Sequence, residues 1–209
     1  MSATRSLIAI AALALAPACG GSDSTTVVVE GDPVDDTVAE GVARGSALAD
    51  RTFDELYGND YLVQVGMTAT ILASMNDGEI AVADFGAQVV NDEDIFDYAN
   101  EIIIDHEDAN VELDATLRFY GVGYFPSATA DAIGADASAT LGDLRGVPPE
   151  DIDFAFTEKQ VIMHAQALVV LDELYAIVGE GDMGDFILDT RDMVDAHLAH
   201  GEDLLSTFY

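Results

Sequence analysis

Four long segments of this chain carry apolar residues at steps of three and four, the spacing that places them on one face of an α-helix. Alternation typical of β-strands is rare, and the one run of consecutive valines, at 27–29, is isolated. The sequence therefore predicts an all-α fold built from four amphipathic helices. Their apolar stripes run over residues 65–89, 95–117, 154–175 and 186–208.

Near its middle, each stripe has one ionisable residue where the repeat expects an apolar one: Glu79, His106, His164 and His197. His164 and His197 each lie about sixteen residues from the turn near residue 180. Glu79 and His106 lie about twelve and fifteen residues from the turn near residue 91. At about 1.5 Å of rise per residue, each antiparallel pair lies at one height, to within about one helical turn. We therefore expect one carboxylate and three imidazoles in a single layer of the core.

This layer has two interpretations. In the first, neutral imidazoles bind a transition metal (zinc, copper or iron) and Glu79 compensates part of its charge. In the second, Glu79 bonds to a protonated histidine and the layer is a metal-free polar core that fixes helix register. Asp105, Asp195 and His200 lie close to the predicted ligands in sequence and are further candidates.

The connection between the second and third predicted helices, residues 121–150, is rich in Gly, Ala, Ser and Pro. About thirty residues is long for a link inside a compact domain, and a short helix over 137–144 is compatible with the pattern. One long crossover between two helical hairpins is typical of ferritin-like bundles. The prediction is a ferritin-like antiparallel four-helix bundle with its long connection between helices 2 and 3.

The N-terminus has the features of a bacterial lipoprotein signal peptide. Arg5 precedes an apolar run at 7–15, and small residues lead to Cys19, the only cysteine. We expect a signal peptide over 1–18, lipidation at Cys19, a flexible acidic tether over 19–45 and the bundle domain over 46–209. Residues 34–57 are ambiguous, because they could form a short helix that Gly41 and Gly45 weaken. No other apolar run predicts a transmembrane helix.

Forty Asp and Glu face seven Lys and Arg, for a formal net charge of −33. A surface so negative repels phosphate groups, so we expect no nucleic-acid partner. The excess charge fits a solvated acidic surface, an adaptation to high salt, or cation binding. The expected membrane contact is through the lipid anchor at Cys19.

Motifs for catalysis are missing from the sequence. No serine or cysteine lies in a nucleophile motif, and neither a glycine-rich phosphate loop nor H-E-x-x-H occurs. The favoured function is a cell-envelope lipoprotein with a metal in its core. A non-catalytic structural or interaction module and a metal-dependent redox enzyme are the two alternatives.

Three segments resemble a known bacterial family: ILASMNDGEIAVADFGAQVV, EIIIDHEDANVEL and DTRDMVDAHLAHGEDLL. The family is a ferritin-like, four-helix domain of unknown function, often labelled as an outer-membrane or periplasmic protein. Its pattern has a glutamate in helix 1, Asp-His-x-x-x-Asn in helix 2 and single histidines in helices 3 and 4. The matching residues here are Glu79, Asp105-His106 with Asn110, His164 and His197.

The resemblance covers residues 61–208 and implies a fold and an envelope location, not an activity. The chain departs from di-iron ferritin-like proteins, which carry Glu-x-x-His on two helices. Here the residues three positions before His106, His164 and His197 are Ile, Val and Val. This departure disfavours a dinuclear iron site and favours a mononuclear, histidine-rich one.

Overall fold

A computed structural model describes residues 31–209 of the chain. The predicted signal peptide, Cys19 and the part of the predicted tether before residue 31 lie outside the described residues. Over 31–209 the structure contains helices and no strand, so the all-α prediction is confirmed. The helices are α1 (Pro33–Leu56), α2 (Tyr61–Val89), α3 (Glu93–Tyr120), α4 (Ala128–Leu144), α5 (Ile152–Val178) and α6 (Asp182–Ser206).

The four predicted helices appear as α2, α3, α5 and α6. α3 begins where Asp92 accepts hydrogen bonds from the backbone N–H groups of Asp94 and Ile95, and it ends at Gly121 with φ at 68°. Asn76-Asp77-Gly78 has the composition of a turn, yet it does not interrupt α2, which is continuous to Val89. Helical packing overrides the local preference here, because Gly78 lies against Ala137 of α4, where a Cβ on Gly78 would be 2.8 Å from that of Ala137.

The helices form two antiparallel pairs, α2 with α3 and α5 with α6. α3 also packs on α6, and α2 packs on α5, so these four helices surround a common interior. A cluster of buried apolar residues fills this interior toward the α5–α6 turn, and a second cluster lies on the other side of the polar layer. Among the largest fully buried side chains are Leu72, Tyr98, Ile102, Leu113, Phe156, Leu171, Leu174 and Ile187.

The long connection between α3 and α5 is largely helical. The predicted short helix over 137–144 is one half of α4, which starts at Ala128. Ser127 caps its N-terminus, and Glu55 of α1 accepts hydrogen bonds there from the backbone N–H groups of Ala128 and Thr129. The cap is therefore partly local, through Ser127, and partly a contact between α1 and α4, through Glu55, which the local sequence does not indicate.

The predicted tether differs from the structure over residues 33–45, which form the first half of α1. α1 packs along α5, and its buried positions include Gly41 and Gly45. A Cβ on Gly41 would lie 2.5 Å from the carbonyl oxygen of Ile162, and a Cβ on Gly45 would lie 2.7 Å from that of Gln166. These glycines weaken an isolated helix but let two helix backbones approach closely, so packing stabilises a helix that propensity disfavours.

By length and composition, α5 could cross a membrane. The sequence predicts no transmembrane helix after the apolar run at 7–15, so α5 differs from that expectation. In the structure, 56% of its most apolar window is buried inside the protein. α1, α2, α4 and α6 all contact this helix. Its apolar character on several faces is therefore that of a central core helix.

Candidate metal centre

Each of the four predicted ligands comes from a different helix of the group α2, α3, α5 and α6. The side chains are buried, with relative exposures of 3% for Glu79, 1% for His106, 0% for His164 and 2% for His197. The imidazole centroids lie 5.3 to 5.9 Å apart in all three pairs. The predicted layer of histidines therefore exists, and counting residues from the turns located it correctly.

His106 is held by a chain of hydrogen bonds that runs to the surface. Its Nδ1–H donates to Oδ1 of Asn76 (3.0 Å), whose Nδ2 donates to Oδ1 of Asn110 (2.9 Å). Nδ2 of Asn110 donates in turn to the carboxylate of Asp77 (3.0 Å). Because a carboxylate only accepts, it sets the direction of every bond in the chain. These three hydrogen bonds therefore place the proton of His106 on Nδ1 and leave Nε2 with a lone pair.

The other two rings are held in the same way. Nδ1–H of His164 donates to the backbone carbonyl of Gln160 one turn earlier (2.8 Å), which leaves Nε2 unprotonated. Nε2–H of His197 donates to the carboxylate of Asp105 (3.0 Å), so Nδ1 is the nitrogen of this ring that can offer a lone pair to a metal. Hydrogen bonding of the second ring nitrogen to a carbonyl or carboxylate is what metal-binding histidines almost always show.

The nitrogens left free by this arrangement are buried and have no hydrogen-bond partner within residues 31–209: Nε2 of His106, Nε2 of His164 and Nδ1 of His197. One nitrogen from each ring lies within 4.8 Å of the other two. A tetrahedral metal with bonds of about 2.1 Å needs its ligands about 3.4 Å apart, so small side-chain shifts would close this triangle.

Glu79 lies beside this group and outside it. Its Oε1 is 3.9 Å from Nδ1 of His164, which is too long for a hydrogen bond, and its Oε2 is buried without a partner. The mutually close set comprises the three histidines alone. The structure thus joins three of the four predicted ligands and places the fourth next to them.

Burial controls the protonation of these groups. Desolvation raises the pKa of Glu79 to about 8 and lowers the pKa of His164 to about 3, with neighbouring His197 lowering the latter further. Desolvation, together with His164 and His197, also holds the pKa of His106 well below its usual range. His106 and His164 are therefore neutral at pH 7, as metal ligation requires.

Of the further candidates, Asp105 contacts the site through His197. Nδ1 of His200 lies at hydrogen-bond distance from the carboxylate of Glu101 on the surface (2.9 Å), and Asp195 is exposed. Sequence reasoning missed Asn76, which it treated only as part of a turn signal. Asn76 lies one turn before Glu79 on the same face of α2, and a buried asparagine at that position was the available signal.

Comparison with known proteins agrees with the resemblance found in the sequence. The model of DUF4142, a domain of unknown function, matches residues 63–204, which include all four predicted ligands. Neither the curated proteins nor the solved structures contain a significant match. Because the match spans most of the chain and the whole of α3, α4 and α5, this protein belongs to the DUF4142 family.

Proposed function

We propose that this domain binds one transition-metal ion through Nε2 of His106, Nε2 of His164 and Nδ1 of His197. The observation that carries the proposal is that these three nitrogens are buried without a hydrogen-bond partner among the described residues, in three rings that each bring one nitrogen within 4.8 Å of the other two. Leaving a buried polar atom without a partner costs about 1–3 kcal/mol. A metal ion satisfies all three nitrogens at once. In this proposal Glu79 is the fourth ligand or the counter-charge beside the metal.

The metal-free polar layer explains less of the geometry. With its pKa raised to about 8, Glu79 is protonated at neutral pH and can donate one hydrogen bond. One donor leaves two of the three imidazole lone pairs unsatisfied. A layer that only fixed helix register would also need no hydrogen-bond chain from His106 to the surface.

Three imidazoles with a carboxylate suit zinc, copper or iron better than magnesium or calcium, which prefer ligands that are all oxygen. The helices carry no Glu-x-x-His before these histidines, so we propose a mononuclear site. The proposed role is to hold or handle this metal, and no group near the site has the arrangement of a nucleophile and its base.

We also propose that α2, α3, α5 and α6 form a ferritin-like four-helix bundle in which α4 belongs to the long connection. The order of the helices and the pairing of α3 with α6 and α2 with α5 support this proposal. The proposed location is the bacterial cell envelope, with residues 1–18 removed and Cys19 lipidated. The sequence pattern ending at Cys19 supports this location.

Elemental analysis tests the metal proposal. Full-length protein is stripped with chelator, incubated with excess Zn²⁺, passed over a desalting column and measured for bound metal. We expect about one Zn²⁺ per chain for the native protein and much less for H106Q and H164Q. The control is H200Q, because His200 is a surface histidine paired with Glu101, and it should keep the native stoichiometry.

If the native protein retains no metal and a chelator leaves its unfolding temperature unchanged, the proposal is wrong and the polar layer is structural. If H200Q loses metal as fully as H106Q does, the ions are bound at the acidic surface and not in the core. A fold check by circular dichroism separates loss of ligand from loss of structure in each variant.

A further inference from the structure

A groove of about 360 Å³ runs along the surface between α3 and α6. Four carboxylates line it: Asp105, Asp108 and Glu112 from α3, and Asp189 from α6. The three on α3 recur at steps of three and four, so they lie on one face of that helix. The remaining lining residues are Ala109, Phe186, Thr190 and Met193.

Most of the charge of this groove has no compensating partner in the described part of the chain. Within residues 31–209, Asp108, Glu112 and Asp189 form no ion pair and no side-chain hydrogen bond. The nearest arginine in sequence, Arg191, is bonded to Asp172 (2.6 Å) and is not available to neutralise them. Clustered like charges concentrate counter-ions, so the groove attracts cations from solution.

One residue that lines the groove contacts a buried histidine. Asp105 lines the groove and accepts the hydrogen bond of Nε2–H of His197, while Nδ1 of the same ring belongs to the buried group. Ligand atoms of Glu101, Asp105 and His197 also lie within 4.8 Å of one another, which makes a second cluster able to hold a cation. His197 is therefore the single residue shared by a half-exposed cluster and the buried site.

We infer that this groove captures divalent transition-metal ions and delivers them to the buried site past Asp105 and His197. The inference rests on the proposed function, because it supplies the access route that a fully buried metal site needs. Asp105 acts here as a positioning residue that holds the His197 ring and faces the incoming ion. His197, which is 2% exposed, separates the two clusters and must turn aside for the ion to pass.

The other cavity that touches the site is less suited to a cation. It measures about 30 Å³, is lined mostly by apolar residues, and reaches Glu79 from between α1 and α4. The only other carboxylate that lines it, Asp136, lies 3.7 Å from Arg44. Arg44 also pairs with Glu40 (2.6 Å), so the carboxylates at that mouth are partly neutralised and attract cations less than those of the groove.

Stopped-flow loading with Co²⁺, followed by its visible absorption, tests the inference on the full-length protein. One variant neutralises the groove with D108N, E112Q and D189N, none of which removes a contact to a histidine. The control variant D50N, D54N and D143N removes three exposed carboxylates elsewhere, on α1 and α4. Both variants have the same net charge, so a difference between their loading rates shows that the position of the carboxylates matters.

We expect the groove variant to load about tenfold more slowly than the control at low ionic strength, since focused charge raises association rates by about 10- to 1,000-fold. The difference should vanish in about 0.5 M salt, where screening acts over a few ångströms. Stoichiometry and the absorption spectrum at saturation should match those of the native protein.

Equal loading rates in the two variants would overturn the groove as the access route while leaving the metal site intact. A change in the saturated spectrum of the groove variant would also overturn it, because the carboxylates would then be ligands of the bound ion. If the native protein itself gives no saturable Co²⁺ spectrum, the proposed function fails, and that result is distinct from the first two.

Discussion

Replacing Glu79 with glutamine should change how the stability of the metal-free protein depends on pH. Burial raises the pKa of Glu79 from 4.5 to about 8, so the folded state keeps its proton over a range in which the unfolded chain has lost it. The stability contributed by this group is fully present below pH 4.5 and is lost as the pH rises towards 8. A glutamine side chain has no proton to lose, so the E79Q variant lacks this dependence.

The size of this effect on the free energy of unfolding follows from how far burial raises the pKa of Glu79. Each pH unit between the two pKa values changes the free energy of unfolding by about 1.4 kcal/mol, so the full interval corresponds to about 5 kcal/mol as an upper limit. The free energy of unfolding of E79Q minus that of the native protein should therefore increase steadily from pH 5 to pH 8 and level off above it. Taking this difference cancels the contributions of the other thirty-nine Asp and Glu residues among the forty in the chain.

Urea unfolding in the presence of chelator, at pH 5, 6, 7, 8 and 9, measures this difference. E107Q serves as the control, because Glu107 is an exposed glutamate on the same helix as His106 and lies outside the buried layer, so it shows the effect of replacing a surface carboxylate. A flat difference for E79Q would refute the reasoning, because it would mean that Glu79 is ionised throughout. That result would favour the alternative in which the carboxylate is paired with a protonated histidine.

Three further substitutions test the contacts around the site and the fold. N76L removes the acceptor of Nδ1–H of His106, so we expect zinc affinity to fall about 10- to 100-fold. Competition with a chelating dye measures this affinity. Unchanged affinity would show that the hydrogen bonds from His106 to the surface do not orient the ring. E55A removes the acceptor of the backbone N–H groups of Ala128 and Thr129 at the start of α4 and should cost about 1–2 kcal/mol in urea unfolding. Faster hydrogen exchange should be confined to the first turn of that helix, and uniform exchange would contradict this role of Glu55. G41A should lower the unfolding temperature, because a methyl group packed against the Ile162 carbonyl costs about 1–3 kcal/mol. This cost outweighs the gain of about 1 kcal/mol in helix propensity. A stabilised variant would show that α1 and α5 can separate without cost.

The histidine layer could be predicted from the sequence because two regular quantities determine it. The helical period places His106, His164 and His197 on inward faces, and the rise per residue sets their heights relative to the turns. Both quantities are local and do not depend on neighbouring helices. The same counting left Glu79 about three residues out of register with His106, and Glu79 is the residue that lies outside the close group.

The supporting residues could not be predicted because they depend on contacts between helices. Whether Asn76 bonds to His106 or starts a turn is decided by α3, not by the sequence around Asn76. α1 is similar, because Gly41 and Gly45 are unfavourable in an isolated helix and favourable only where α5 approaches them. A single sequence contains no direct record of which helix lies opposite such positions.

X-ray absorption spectroscopy of the zinc-loaded protein tests the central claim most directly, because it identifies the atoms bound to the metal. The account predicts about three nitrogen ligands and one or two oxygen ligands at about 2.0–2.1 Å, with the outer-shell scattering of three imidazole rings. H200Q should leave this pattern unchanged, while H106Q should retain much less zinc, and the zinc that remains should lack at least one imidazole. A shell of oxygen ligands with no imidazole scattering would contradict the account and would place the metal on the acidic surface.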